Sequence, residues 1–414
     1  MMPCSGKTVA LVDPLWIGHH PMYFSQFTAS FLRSGAKVIG LCPKPDAAMD
    51  DLRKSLAGES AHGIEERVFF HELPGGKRSF FNGRFEGDPL RTFLRWKNAA
   101  DHLADAEALS GLHADLVFFP YLDSYLRFLP FAGIPEFLLN RPWSGLYLRN
   151  HHHGERPSPK KSLRLLAKGD ALLLSQLCPG VGVLDERFIP AMEKLSGKKV
   201  TAYPDVTQVN LPSQPFATAV RVKERAAGRK IIGMIGLERR KGFLTLLRTA
   251  ELARERGLPY YFVCAGTIYP QQFTPAEREY LEKLARKIVA GEIDNLHFDP
   301  GSGRIPDEAD YNSLFSTFDI AWAAYEGFQG SSGTLGKAAA FEIPCIATAG
   351  ECIGQRVEAY RLGITIPEAD AEQALAAIPR LLGAQPLSPN FAEYREHHSL
   401  ARLDRILTNL LASV

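Results

Sequence analysis

Short apolar runs alternate with amphipathic runs along nearly the whole chain, and the alternation stops once and then restarts. From Thr8, TVALVDP reads as a strand, PMYFSQFTASFLRSG has helical spacing and ends on a glycine, and KVIGLCP is a second strand. DAAMDDLRKSLAG is the next helix, ERVFFHELP a third strand, and LRTFLRWKNAADHLADAEAL a long helix. ADLVFFPYLD, PEFLLN, GVGVLDE and KVTAYPD read as further strands. Strands this short, apolar on both faces and separated by helices belong to a parallel sheet. Residues 1–210 are therefore expected to form one doubly wound, Rossmann-like α/β domain. Periodicity fades and prolines cluster in PDVTQVNLPSQPFATAVRVKERAAGR, and the pattern then resumes. KIIGMIGL, YYFVCAG, NLHFDPG, DIAWAA, PCIATA and ITIP predict the strands of a second such domain over residues 225–392. FAEYREHHSLARLDRILTNLLASV closes the chain as a long amphipathic helix. Two parallel sheets of this kind are expected to face each other across a cleft at their strand C-terminal ends, where such folds bind ligands.

At 414 residues the chain exceeds one ordinary core, which agrees with two domains. A net charge of +2 gives no electrostatic reason to expect nucleic acid as a partner. Six cysteines without a CxxC pair read as reduced thiols. The start, MMPCSGKTVALVDP, lacks a signal-peptide layout, and no apolar stretch approaches the roughly 20 residues that cross a bilayer. The expected class is a cytoplasmic α/β protein.

Several chemistries are excluded by spacing. SGKT near the start has no strand before it, and GSSGTLGKA has Ser331 and Ala338 where a P-loop needs glycine and Ser or Thr. His151, His152 and His153 are consecutive, so their side chains diverge, and no acid or cysteine completes a ligand set. No metal or cofactor is expected. No GxSxG elbow supplies a hydrolase nucleophile, and DPLWIGHHP carries one glycine where a dinucleotide fingerprint needs three.

Two loops do carry chemistry. EGFQGSSGTLGKAAAFE lies between a strand and a helix, so Gly330, Ser331, Ser332, Gly333 and Thr334 can turn backbone N–H groups toward one anion at the helix start. A bare strand-to-helix turn needs the same small residues. GMIGLERRKGFLTLL opens the second domain and sets Arg239, Arg240 and Lys241 after its first strand. A solvated basic turn is the alternative there, but a glycine-rich nest and a basic turn on one sheet together favour a diphosphate.

These residues resemble the nucleotide-sugar-binding domain of the retaining GT-B glycosyltransferases of group 1. The resemblance rests on Gly236, Lys241 and Gly242, on EGFQ at 326–329, on AAAFEIPCIAT, and on GECIGQRVEAYRLGITIPEADAEQALAAI. It spans most of residues 225–414 and implies that residues 393–414 cross back to the first domain. It also implies sugar transfer from a nucleotide-diphosphate donor, with retention at the anomeric carbon and without an obligatory metal. Lys241 with Arg239 or Arg240 would offset charge on the leaving diphosphate, Arg304 would wall the base, and Glu326 or Gln329 would contact the donor. Two departures stand out: Leu237 replaces an arginine, and Lys337 stands where the family keeps a second acid, so it is expected either to bind the donor as a retuned ligand or to mark a lost activity. Rival expectations are a nucleotide-sugar epimerase and a non-catalytic glycosyltransferase-like subunit.

In the first domain DPLWIGHHPMYF resembles the family's glycine loop, with Gly18 near the donor phosphate and His19 or His20 as a catalytic group, the alternative being that one histidine caps the helix and the other is solvated. His20 is expected to meet the acceptor, and Trp143, Tyr147 and the FFNGRF loop at 80–85 either stack on a sugar or lipid there or are simple packing. Asp123 is expected either to orient an acceptor hydroxyl or to cap a helix. The acceptor is expected to be a glycan, a lipid or a small molecule. The basic segment SPKKSLRLLAKG reads as a solvated helix face or as a peripheral contact with an anionic membrane.

Overall fold

The first apolar run, β1 (Thr8–Val12), is buried at every position and is flanked by parallel strands on both sides. The chain continues through α1 (His20–Arg33), β2 (Lys37–Cys42), α2 (Pro45–Ser55), β3 (Val68–Glu72), α3 (Pro89–Ser110) and β4 (Leu116–Phe119). Then come α4 (Asp123–Leu126), α5 (Ile134–Leu139), β5 (Trp143–Gly145), β6 (Gly180–Val183), α6 (Ile189–Ser196) and β7 (Lys199–Ala202). This computed structural model describes residues 4–56, 63, 66–74, 89–126, 133–148, 170–298, 303–383 and 389–414. The FFNGRF loop, His151–His153 and the segment 158–169 lie outside them.

The chain divides into two units, Met1–Pro204 with Leu400–Val414, and Asp205–Ser399. In the first, the strands run β3-β2-β1-β4-β5, all in parallel, with β6 and β7 paired beside them through a bridge from Leu146 to Gly182. Phe27 and Phe31 of α1 pack on Phe118, whereas Trp96 of α3 packs on Phe119 and Trp143. The second unit holds α7 (Ala217–Ala226), β8 (Lys230–Leu237), α8 (Phe243–Glu255), β9 (Tyr260–Ile268), α9 (Pro275–Val289), β10 (Leu296–Phe298) and α10 (Glu308–Phe315). It continues with β11 (Ile320–Ala323), α11 (Gly333–Ala340), β12 (Cys345–Thr348), α12 (Cys352–Ala359), β13 (Gly363–Ile366), α13 (Ala371–Leu382) and α14 (Phe391–His397). Its parallel sheet runs β10-β9-β8-β11-β12-β13. In both sheets the order reverses beside the first strand. The loops after β1 and β4, and those after β8 and β11, therefore sit at the switch points where open α/β sheets bind ligands.

Two local expectations are corrected. PEFLLN is helix α5 rather than a strand: Pro135 sits in its first turn and Asn140 closes it with φ +48°. The closing run is two helices, α14 and α15 (Leu400–Ala412), broken at His398 and Ser399. α15 belongs to the first unit, burying Leu403, Leu407 and Leu411 along one stripe. Arg33 grips Asp404 of α15 through Nε and Nη2, at 2.7 and 2.9 Å. Among the described residues no helix is long and apolar enough to cross a membrane.

Candidate functional site

In the second unit, the chain leaves β8 through Gly236, whose φ of +92° accompanies a register shift between Ile235 and Leu237. Arg239–Lys241 form one tight 3₁₀ turn, and Gly242, at φ +72°, starts α8. A methyl group on Gly242 would overlap the Ala324 carbonyl, so the turn packs directly on the end of β11. Lys241 folds back over Gly236: its Nζ donates to the Ile235 carbonyl at 3.2 Å and lies 3.6 Å from Glu238. A methyl on Gly236 would overlap that Nζ. Gly236→Ala is expected to displace Lys241 and to add strain of roughly 1–2 kcal/mol. Calorimetry should show weaker nucleoside diphosphate binding, and unchanged affinity would dissociate Lys241's pose from binding.

The two arginines are more fully engaged. Arg239 meets Glu277 at 3.1 Å and Glu326 at 3.9 Å, and its backbone N–H donates to Gln272. Arg240 meets Glu238 at 2.7 Å and lies over the Phe328 ring. Burial opposes ionisation of Glu238, but Arg240 and Lys241 prevail and hold its carboxyl below the usual range. Glu326 joins the loops after β8 and β11: its N–H donates to the Arg240 carbonyl, and its carboxylate accepts from Thr245 Oγ1 at 2.5 Å. Arg239, Arg240, Lys241 and Glu326 are thus brought together. Arg304 is exposed and makes no ion pair among the described residues.

In the loop after β11, Ser332 is the N-cap of α11, and its hydroxyl accepts from Thr334 N–H while donating to Tyr325 OH. Ser331 donates its hydroxyl to Asp205 at 2.9 Å. Both serine side chains are consequently spoken for. Among the described residues, no acceptor engages the backbone N–H of Gly330, Ser331, Ser332 or Gly333. These four donors precede a helix start, an arrangement suited to an anion. Gln329 stands next to them in the same loop.

Lys337 is a correction. Its side chain is buried and turned away from that loop, onto Glu308, Asn312 Oδ1 at 2.6 Å and the Gln208 carbonyl at 2.5 Å. An ammonium has three N–H groups, and all three are used. Gly336 beside it gives passage to Thr207, and Asn312 Nδ2 donates to the Gln208 and Asn210 carbonyls. Lys337 fastens the segment entering the second unit, and it offers nothing to a donor. Burial holds its pKa below 10.5, against the pull of Glu308. Lys337→Met should cost about 1–3 kcal/mol in urea unfolding by stranding buried acceptors, with nucleotide affinity unchanged. A loss of affinity without a loss of stability would restore it as a ligand.

In the first unit the decisive pair is Asp13 and His20. Asp13 is fully buried just beyond β1, and both its carboxylate oxygens lie 2.8–2.9 Å from His20 Nδ1. A carboxylate only accepts, so Nδ1 carries the proton and Nε2 is left basic. No described residue hydrogen-bonds Nε2, and the imidazole, 11% exposed, stacks on Tyr121 at 3.8 Å. Burial pushes the Asp13 carboxyl above 3.8, while the hydrogen bond to His20 works in the opposite sense. His19 occupies the N-cap position of α1 without a side-chain cap, after Gly18 at φ +60°. Asp123 is buried, opens α4 and accepts from Leu148 N–H at 3.0 Å. Trp143 and Tyr147 are corrected: both are completely buried in the core and present no surface to an acceptor. Asp13 escaped notice in the sequence, although an acid at a strand end seven residues before a histidine was a usable signal.

Residues 229–384 match the family model of the glycosyl transferases, group 1. Over this segment the chain is similar to the group 1 glycosyltransferases. The matched residues take in strands β8 to β13 with the loops after β8 and β11. The two parallel-sheet units match GT-B glycosyltransferase structures across the chain. A glycosyltransferase from Rickettsia africae aligns at TM-score 0.63 and 13% identity, covering 99% of this chain and 98% of that one. HepE from Anabaena, in complex with UDP, aligns at 0.63 and 13%, covering 99% and 100%. A trehalose 6-phosphate synthase from Burkholderia multivorans aligns at 0.62 and 17%, covering 99% and 98%. A sequence search of curated proteins found no match.

Proposed function

We propose that this protein transfers a sugar from a nucleotide-diphosphate donor to an acceptor hydroxyl. The observation that carries this reading is the joined pair of loops in the group 1 domain, Lys241 on one and four unclaimed N–H groups on the other. Oriented N–H donors and an ammonium suit the charge that collects on a departing diphosphate. Gly236 clears the space for Lys241, while Arg239, Arg240 and Glu326 hold the turn in shape. In the first unit, His20 Nε2 is the proposed acceptor of the hydroxyl proton, with Asp13 as the residue that positions the ring. The C1–O bond to the diphosphate breaks, the C1–O bond to the acceptor forms on the same face of the sugar, and the acceptor proton passes to His20.

HepE has been solved with UDP and with UDP-glucose, which makes uridine nucleotides the first donors to try. Retention of configuration and independence of metal are proposed from the resemblance of the glycine, lysine and EGFQ motifs. Isothermal titration against a panel of nucleotide sugars tests the reading, followed by assay of nucleoside diphosphate release with glycan, lipid and small-molecule acceptors. Binding with acceptor-dependent release is expected, and the anomeric proton coupling of the product reports its configuration. Absence of binding at millimolar donor would remove this reading. Donor conversion without any acceptor would replace it with epimerase chemistry.

A further inference from the structure

His71, near the C-terminal end of the edge strand β3, and His102 and Asp105, one turn apart on α3, form a cluster outside the proposed transfer site. One ligand atom from each lies within 4.8 Å of the other two. The i, i+3 spacing sets His102 and Asp105 on one face of the helix. The His71 ring stacks along Phe69 and lies 5.7 Å from the His102 ring, tilted by 45°. Register aligns His71 with Leu41 and, through it, with Val12, so the cluster stands level with the end of β1.

Hydrogen bonding leaves this cluster incomplete. His102 Nδ1 is sealed from solvent and has no partner. Among the described residues, neither His71 nor Asp105 makes a hydrogen bond or an ion pair. A buried ring nitrogen without a partner costs free energy, and a bound ligand would remove that cost. Packing alone would account for one histidine against an aromatic strand. It does not account for two imidazoles and a carboxylate converging on one point with a sealed, unpartnered ring nitrogen among them.

We propose that His71, His102 and Asp105 are ligands for a divalent cation of the zinc class, which pins the edge strand β3 to α3. Two imidazole nitrogens and one carboxylate oxygen suit zinc, with metal–ligand distances of about 2.0–2.2 Å and a water in the fourth position. Calcium and magnesium prefer sets made of oxygens, so two histidines select against them. Closing on a tetrahedral ion brings the ligand atoms to roughly 3.4 Å from one another, a side-chain adjustment on a fixed strand and helix. The site uses none of the residues assigned to sugar transfer, so it stands or falls independently.

The test uses full-length, untagged protein stripped with chelator and titrated with zinc by calorimetry and with cobalt by visible absorption. One equivalent is expected, with a Kd at or below about 10 µM, together with the visible bands of a tetrahedral N/O cobalt site. Melting temperature should rise with zinc concentration, since the ion binds only the folded arrangement. His71→Asn, His102→Gln and Asp105→Asn should each weaken binding by at least about 10-fold. Asp105 is exposed, so its variant can be expected to fold and keeps the comparison valid if a histidine variant does not. Replacing His151, His152 and His153 together should leave the affinity unchanged. No binding at millimolar zinc, or binding lost with the His151–His153 variant and retained in the other three, overturns the assignment.

Discussion

Lys241→Ala should lower kcat by about 10²–10³-fold, the loss typical of removing one preorganised stabiliser of developing charge. Neighbouring cations are poorly placed to compensate. Arg239 is held by Glu277 and Glu326, and Arg240 by Glu238. Three cations face those three carboxylates, so removing Lys241 leaves the turn net negative at the proposed diphosphate position. Affinity for the nucleoside diphosphate should fall together with the rate. Lys241→Arg keeps the charge but not the reach over Gly236, and should recover part of both. Steady-state kinetics and calorimetry on the three proteins decide the matter: Lys241→Ala with kcat within twofold of wild type removes Lys241 from the transfer step.

The strands were legible because a parallel sheet buried on both faces needs continuous apolar runs, as in β1 and β8. PEFLLN misled because a six-residue apolar run has no period of its own, and Pro135 starts a helix as readily as it bounds a strand. The loops after β8 and β11 were legible from glycines that a turn requires, Gly236 and Gly242 above all. Lys337 was not. Counting positions along a motif places a backbone, but where the side chain turns depends on partners far away in sequence. Its partners are Asn312, 25 residues away, Glu308, 29 residues away, and Gln208, 129 residues away. Trp143 and Tyr147 failed for a related reason: an aromatic beside a strand looks the same whether it faces solvent or Trp96. The metal-ligand cluster is likewise split between β3 and α3, so no single stretch of sequence shows it.

Asp13→Asn should reduce kcat by about 10²–10⁴-fold, the range for loss of a positioned general base, while leaving the donor KM nearly unchanged. The amide keeps the carboxylate's size but can offer Nδ1 a donor as well as an acceptor. The imidazole then loses the interaction that fixes Nε2 as the basic nitrogen. Asp13 does not itself touch the substrate in this scheme, so Asp13→Asn and His20→Asn should not add when combined. Stability moves the other way with pH. Burial raises the Asp13 carboxyl above 3.8 in the native state, so across the window from 3.8 to that raised value the native chain binds more protons than the unfolded one. Stability contributed by this group is therefore lost as pH rises through the window, and Asp13→Asn should flatten that slope in urea melts. A merely structural Asp13 would change the melts and spare kcat. A variant with wild-type kcat and an altered slope would accordingly assign Asp13 to the fold alone and leave the acceptor's proton to another group.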